Sequence, residues 1–131
     1  MYALDTNTVL DYFRGKGQVA ARLLATPPSE VGLPAVAAYE VWVGVLGSQN
    51  SKRRQVEYER FLALVAILPF DAVAGRRAAD LRLALSRKGD LIGPMDTLIA
   101  ATALAHGATL VTRNVREFNR VPGLTVVNWH D

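Results

Sequence analysis

The sequence predicts an α/β layered domain built on a parallel sheet of four to five strands, and three observations carry the prediction. Short apolar runs at Tyr2–Leu4, Val31–Leu33, Ile67–Phe70, Thr109–Val111 and Thr125–Val127 read as strands. Helix-length segments separate them, and parallel strands need such crossovers, which cover both faces of the sheet. The chain has 131 residues, half of them hydrophobic, enough for one core, so a single domain over residues 1–131 is expected. No repeat, low-complexity run or linker interrupts the pattern.

Taken in order, the run Tyr2–Leu4 ends at Asp5, and Thr6, Asn7 and Thr8 offer capping groups for a helix through Phe13. Gly15 and Gly17 break the chain, residues 18–25 read as a second short helix, and Thr26-Pro27-Pro28-Ser29 reads as a turn. Pro34 precedes a long apolar helix, Ala35–Leu46, closed by Gly47. A charged amphipathic helix is expected over Arg53–Ala66. The helix Ala72–Lys88 is expected to turn Ala79, Leu83 and Ala84 inward and to stop at Gly89. Gly93-Pro94 marks a loop, after which Asp96 opens a helix through His106, with Gly107 as terminator. One or two helical turns over Arg113–Phe118 precede the last strand.

The chain has no cysteine, which excludes disulfides, thiolate metal sites and cysteine nucleophiles and suits a reducing cytoplasm. His106 and His130 are the only imidazoles and have no zinc-pair spacing, so metal ligands default to oxygen. The N-terminus lacks the basic start and cleavage site of a signal peptide, and no apolar run is long and uncharged enough to span a membrane, so a soluble protein is expected. Net charge is +3, concentrated in the middle: residues 52–88 hold nine basic and four acidic side chains. A basic surface beside an acidic site suits phosphate attraction, although a solvated helical face explains the same charges.

Three acids stand out. Asp5 lies at the carboxyl end of the first strand, the edge where ligands bind open α/β sheets, although an Asp-Thr-Asn run also caps a helix. Glu40 is the only charged residue between Val31 and Ser51, among Val36, Ala37, Tyr39, Val41, Trp42 and Val43. A carboxylate in such a helix requires a cation, hydrogen bonds or a metal, and an arginine from another helix would also satisfy it. Asp96 is the only formally charged residue between Asp90 and Arg113 and doubles as a possible N-cap. Capping does not explain all three together.

The segments Tyr-Ala-Leu-Asp-Thr-Asn at 2–7, the apolar stretch around Glu40, Gly-Pro-Met-Asp-Thr-Leu-Ile-Ala-Ala at 93–101 and Leu-Val-Thr-Arg-Asn-Val-Arg-Glu-Phe at 110–118 occur in this order. With Val-Pro-Gly-Leu-Thr-Val-Val-Asn-Trp at 121–129, they resemble the PIN-domain proteins, specifically the VapC ribotoxins of bacterial toxin–antitoxin modules, over nearly the whole chain. The resemblance implies a three-layer α/β/α fold and a metal-dependent endoribonuclease, with transfer RNA among its candidate substrates. It implies Mg²⁺ (magnesium), with Mn²⁺ as a substitute, held by Asp5, Glu40 and Asp96, and a fourth catalytic position at Asn114, where the family often has aspartate. Asparagine offers only a neutral carbonyl there. Thr6 and Thr112 match positions that orient ligands or water, and Arg113 and Arg116, with Arg120, are candidate contacts for substrate phosphates. The partners implied are an RNA, a cognate VapB-like antitoxin and a second copy of the chain.

Two other readings compete. A phosphohydrolase with a covalent aspartyl-phosphate at Asp5 would want a second acid two residues on, where this chain has Asn7. A catalytically weak or inactive PIN-like module that binds RNA or a partner is favoured only by Asn114. Trp42 and Tyr39 are expected in the core or against a partner rather than as base-stacking platforms.

Overall fold

The computed structural model describes all 131 residues. In chain order the elements are β1 (Tyr2–Leu4), α1 (Thr6–Phe13), α2 (Val19–Leu24), a 3-10 turn (Pro28–Glu30), β2 (Val31–Pro34) and α3 (Ala35–Leu46), followed by α4 (Ser51–Leu62), β3 (Ala66–Leu68), α5 (Ala72–Arg87), α6 (Pro94–Ala105), β4 (Thr109–Val111), α7 (Val115–Phe118) and β5 (Val126–Val127). The strands form one sheet in the order β3-β2-β1-β4-β5, and every pairing is parallel. The chain starts in the centre, builds outward through β2 and β3, then returns to lay β4 on the other side of β1. Connections therefore reverse direction between β1 and β4, and the carboxyl ends of those strands border the crevice where such sheets bind ligands.

Burial explains the apolar runs. Ala3 and Leu4 of β1, Leu33 of β2, and Leu110 and Val111 of β4 are wholly enclosed, as expected of strands covered on both faces. Beneath them α3 contributes Ala37, Ala38, Val41 and Val45 from one side, and α6 contributes Ile99, Ala100 and Ala103. Tyr12, Phe13, Trp42, Tyr58 and Phe61 form an aromatic cluster that joins α1, α3 and α4. The buried Tyr58 hydroxyl donates to the Ala38 carbonyl at 3.1 Å, so its polar tip is satisfied.

Three expectations are corrected. The α4 helix runs Ser51–Leu62 rather than Arg53–Ala66, and β3 is Ala66–Leu68 rather than Ile67–Phe70. Pairing of Ala66 with Gly32 takes into the sheet a residue that helical periodicity alone had assigned to the helix. On α5 the buried face is Ala74, Ala78, Leu81 and Leu85, while Ala79 and Leu83 are exposed and Ala84 is half-buried. Alanine and leucine occur on several sides of α5, so apolar spacing left its inward face underdetermined.

The C-terminal segment folds back over the start of the chain. Trp129 packs on Tyr2 with ring centroids 5.1 Å apart, and the Gln18 N–H donates to the His130 carbonyl at 2.9 Å. That bond requires close approach at Gly17, whose φ is +61°, and a Cβ there would lie 2.1 Å from the His130 oxygen. Gly15 has a similar φ of +63° but open space around it. Gly15→Ala should therefore cost only the left-handed penalty of roughly 1 kcal/mol, and Gly17→Ala distinctly more. Equal losses in urea denaturation would refute the clasp as the reason for Gly17.

Candidate active site

Asp5 follows Leu4 at the end of β1 and caps α1: its Oδ1 accepts the Thr6 N–H at 2.7 Å. Its Oδ2 accepts the Thr112 hydroxyl at 2.7 Å and the Asn7 side-chain amide at 3.1 Å. Asp5 is only 3% exposed. Burial pushes its carboxyl above the ordinary carboxylate range; the bonds from Thr112 and Thr6 oppose that shift, and the charges of Glu40 and Glu117 add to it. Capping and a role in the crevice coexist in this residue.

Glu40 on α3 is half-buried, and its Oε1 accepts the Thr6 hydroxyl at 2.7 Å. No arginine pairs with it. Its neighbours Tyr39 and Val43 are 59% and 56% exposed, so α3 is not enclosed all round and Glu40 stands at the rim of its buried face. Tyr39 thus faces outward, whereas Trp42 packs edge-on against Tyr58.

Asp96 sits in the first turn of α6 but is not its N-cap, which is Gly93, with Pro94 opening the helix. Its carboxyl is raised to about 7, chiefly by burial and also by a hydrogen bond with Glu117 and the charges of Asp5, Glu117 and Glu40. Capping therefore does not account for this aspartate. A side chain at Gly93 would crowd it, since a Cβ there lies 3.3 Å from Asp96 Oδ2.

Glu117 is the residue that sequence reasoning missed. Its Oε1 accepts the Gly93 N–H at 3.2 Å, and its Oε2 accepts the side-chain amide of Asn114. The fourth acidic corner is thus Glu117, and Asn114, expected to fill it, is an exposed residue that orients Glu117. The available signal was spacing: residues three apart on a helical turn share a face.

The expected substrate contacts divide. Thr6 and Thr112 commit their hydroxyl protons to Glu40 and Asp5, so they position carboxylates. The Arg113 guanidinium pairs at 3.2 Å with Asp11, a carboxylate only 1% exposed. Arg120 donates to the Leu91 carbonyl at 3.1 Å. Arg116 is exposed and has no ion-pair partner.

Four carboxylates, Asp5, Glu40, Asp96 and Glu117, therefore share one electrostatic neighbourhood that no lysine or arginine neutralises. An all-oxygen, anionic donor set suits a hard divalent cation such as Mg²⁺ or Mn²⁺. No three of the acids converge at metal-ligand spacing, so these side chains would have to draw together to share one ion. A cleft of about 330 Å³ between α1, α3 and α4, lined by Phe13, Arg14, Arg53 and Tyr58 among others, contains none of the four. The acids gather instead near the carboxyl ends of β1 and β4, where Asp5 follows β1 and is bonded by Thr112, the residue after β4.

The PIN domain family matches residues 2–124. Ribonuclease VapC2 of Rickettsia felis is 36% identical over 136 residues, spanning 98% of this chain and 98% of its own length. The tRNA(fMet)-specific endonuclease VapC of Salmonella typhimurium is 30% identical over 128 residues, spanning 98% of this chain and 97% of its own. Among solved structures, VapBC2 from Rickettsia felis, bound to a DNA fragment from its promoter, is similar with a TM-score of 0.91 and 32% identity over 98% of each chain.

Proposed function

The chain belongs to the PIN-domain family, and on that premise we propose that it is a VapC-type endoribonuclease toxin that hydrolyses RNA phosphodiester bonds and is neutralised by a cognate VapB-like antitoxin. The observation that carries the chemistry is the set of four acids near the switch point of the sheet, left without a basic partner, in which burial and the neighbouring acids raise the carboxyls of Asp5 and Asp96. The likeness to the Salmonella endonuclease supports transfer RNA as the first substrate to try.

Asp5, Glu40, Asp96 and Glu117 would hold Mg²⁺ or Mn²⁺. A bound cation of this kind activates water and offsets the charge that develops on the phosphate. The chain's own residues fix the donors. Thr112 and Asn7 orient one oxygen of Asp5, Thr6 orients Glu40, and Asn114 with the Gly93 N–H orients Glu117. Arg116 has no protein partner and is the member of the 113–120 arginine group available to a substrate phosphate. The reading as an inactive module loses its one support, because Glu117 supplies the acid that Asn114 lacks.

Purified protein incubated with transfer RNA should cleave it in Mg²⁺, not in EDTA, and Asp5→Ala should abolish cleavage. Survival of cleavage in EDTA would refute the metal mechanism, and absence of cleavage with any RNA would favour a binding module.

A further inference from the structure

Arg113 is held twice by one face of α1. Its backbone N–H donates to Asn7 Oδ1 at 3.1 Å, and its guanidinium Nη1 lies 3.2 Å and 3.3 Å from the two oxygens of Asp11. Residues 7 and 11 are one helical turn apart, so these captures come from adjacent positions on one stripe. Thr8, next on that turn, donates its hydroxyl to the Val111 carbonyl at 2.8 Å. The exit of β4 is thereby pinned to α1 at 111 and at 113, on either side of Thr112.

Much of the donor geometry hangs from that pinned segment. Thr112 gives its proton to Asp5 and accepts the Asn114 N–H at 3.0 Å. Asn114 in turn donates to Glu117, whose other oxygen takes the N–H of Gly93, three residues before Asp96. The Arg113 N–H also selects the orientation of the Asn7 amide: with Oδ1 engaged there, the NH₂ group faces Asp5. Asp11 is enclosed and the Arg113 side chain is half-exposed, so the guanidinium is the lid on a buried charge rather than a free surface cation.

Resting on the ribonuclease reading above, we propose that Asp11 and Arg113 are positioning residues: their ion pair holds the 112–114 segment so that Asp5 and Glu117 present their oxygens correctly to a divalent cation. The pair does not contact RNA. Supports behind metal ligands typically govern 10–100-fold in metal affinity or activity. The effect is therefore expected in Mn²⁺ affinity and kcat, with KM for RNA unchanged.

The test uses Asp11→Asn, Arg113→Lys and the double variant Asp11→Asn/Arg113→Gln, which leaves no buried charge unpaired and keeps the proposal testable if a single variant fails to fold. Mn²⁺ affinity is measured by calorimetry on the protein alone, and kcat and KM with transfer RNA. The expected result is roughly 10-fold or greater weakening of Mn²⁺ binding and a matching loss of kcat in Asp11→Asn and the double variant. Arg113→Lys, which keeps the charge, should be rescued in part. Wild-type Mn²⁺ affinity and kcat in a folded Asp11→Asn would overturn the proposal, as would a raised KM alone, which would make Arg113 a substrate contact. Failure of the wild type to cleave RNA would instead sink the ribonuclease reading, leaving the calorimetry to judge the pair.

Discussion

Asp96→Asn is expected to reduce RNA cleavage by about 10³-fold or more while raising the melting temperature of the metal-free protein. The loss follows from removing one anionic donor from a cation site that supplies several kcal/mol of charge stabilisation; about 4 kcal/mol corresponds to about 10³-fold in rate. The gain follows from the carboxyl's environment: burial, Glu117, Asp5 and Glu40 all disfavour its ionised form and hold it at about 7. Asparagine is permanently uncharged and can still hydrogen-bond Glu117. Asp5→Asn should be equally inactive but less stable. Asp5 accepts from Thr6, Thr112 and Asn7 with both oxygens. An amide accepts on one oxygen only, so at least one donor loses its partner, at a cost of about 1–3 kcal/mol. Opposite stability changes with a shared loss of cleavage, read by thermal melts in EDTA and by RNA assays, distinguish the two acids. A lower melting temperature for Asp96→Asn would contradict the repulsion argument.

That contrast also shows which parts of the site could be read without coordinates. Asp5 was legible because an apolar run, an acid and capping residues are contiguous, and that order alone fixes a strand end facing a helix start. Glu40 was legible as a lone charge, but for a reason that needed revision. The outer face of α3 is uncovered at Tyr39 and Val43, so Glu40 sits at a rim and is satisfied by Thr6. Glu117 was illegible. It lies among Arg113, Arg116 and Arg120, where one acid is unremarkable, and its partner Gly93 is 24 residues away. The roles of Thr112 and Arg113 were hidden for the same reason, since each is defined by a residue more than 100 positions earlier, Asp5 at the cap of α1 and Asp11 within it. Local pattern likewise gave the alternation of strands and helices but not the inward face of α5, which packing selects from several apolar stripes.

On the proposed reading, divalent metal should raise the melting temperature, and the size of the rise should depend on pH. At a metal concentration a hundred times Kd, binding to the folded state alone contributes about 2.7 kcal/mol, or about 10 °C for a domain of this size. Asp96 sets the pH dependence. Its folded-state carboxyl is raised from 3.8 to about 7, so the folded protein binds a proton more tightly than the unfolded chain. For a raised acid, stability increases as pH falls through the folded value and is complete below the unfolded one. Without metal, the protein should accordingly be more stable near pH 5.5 than near pH 8, with Asp5, also raised, contributing in the same direction. Cation and proton compete for these oxygens, so the metal-induced rise should be largest near pH 8 and shrink as pH falls below about 7. Differential scanning fluorimetry with Mg²⁺, Mn²⁺ and EDTA across that range measures both effects. A metal-induced rise that grew on acidification would contradict carboxylate ligation, and a pH-independent rise in wild type matching that in Asp96→Asn would place the cation elsewhere.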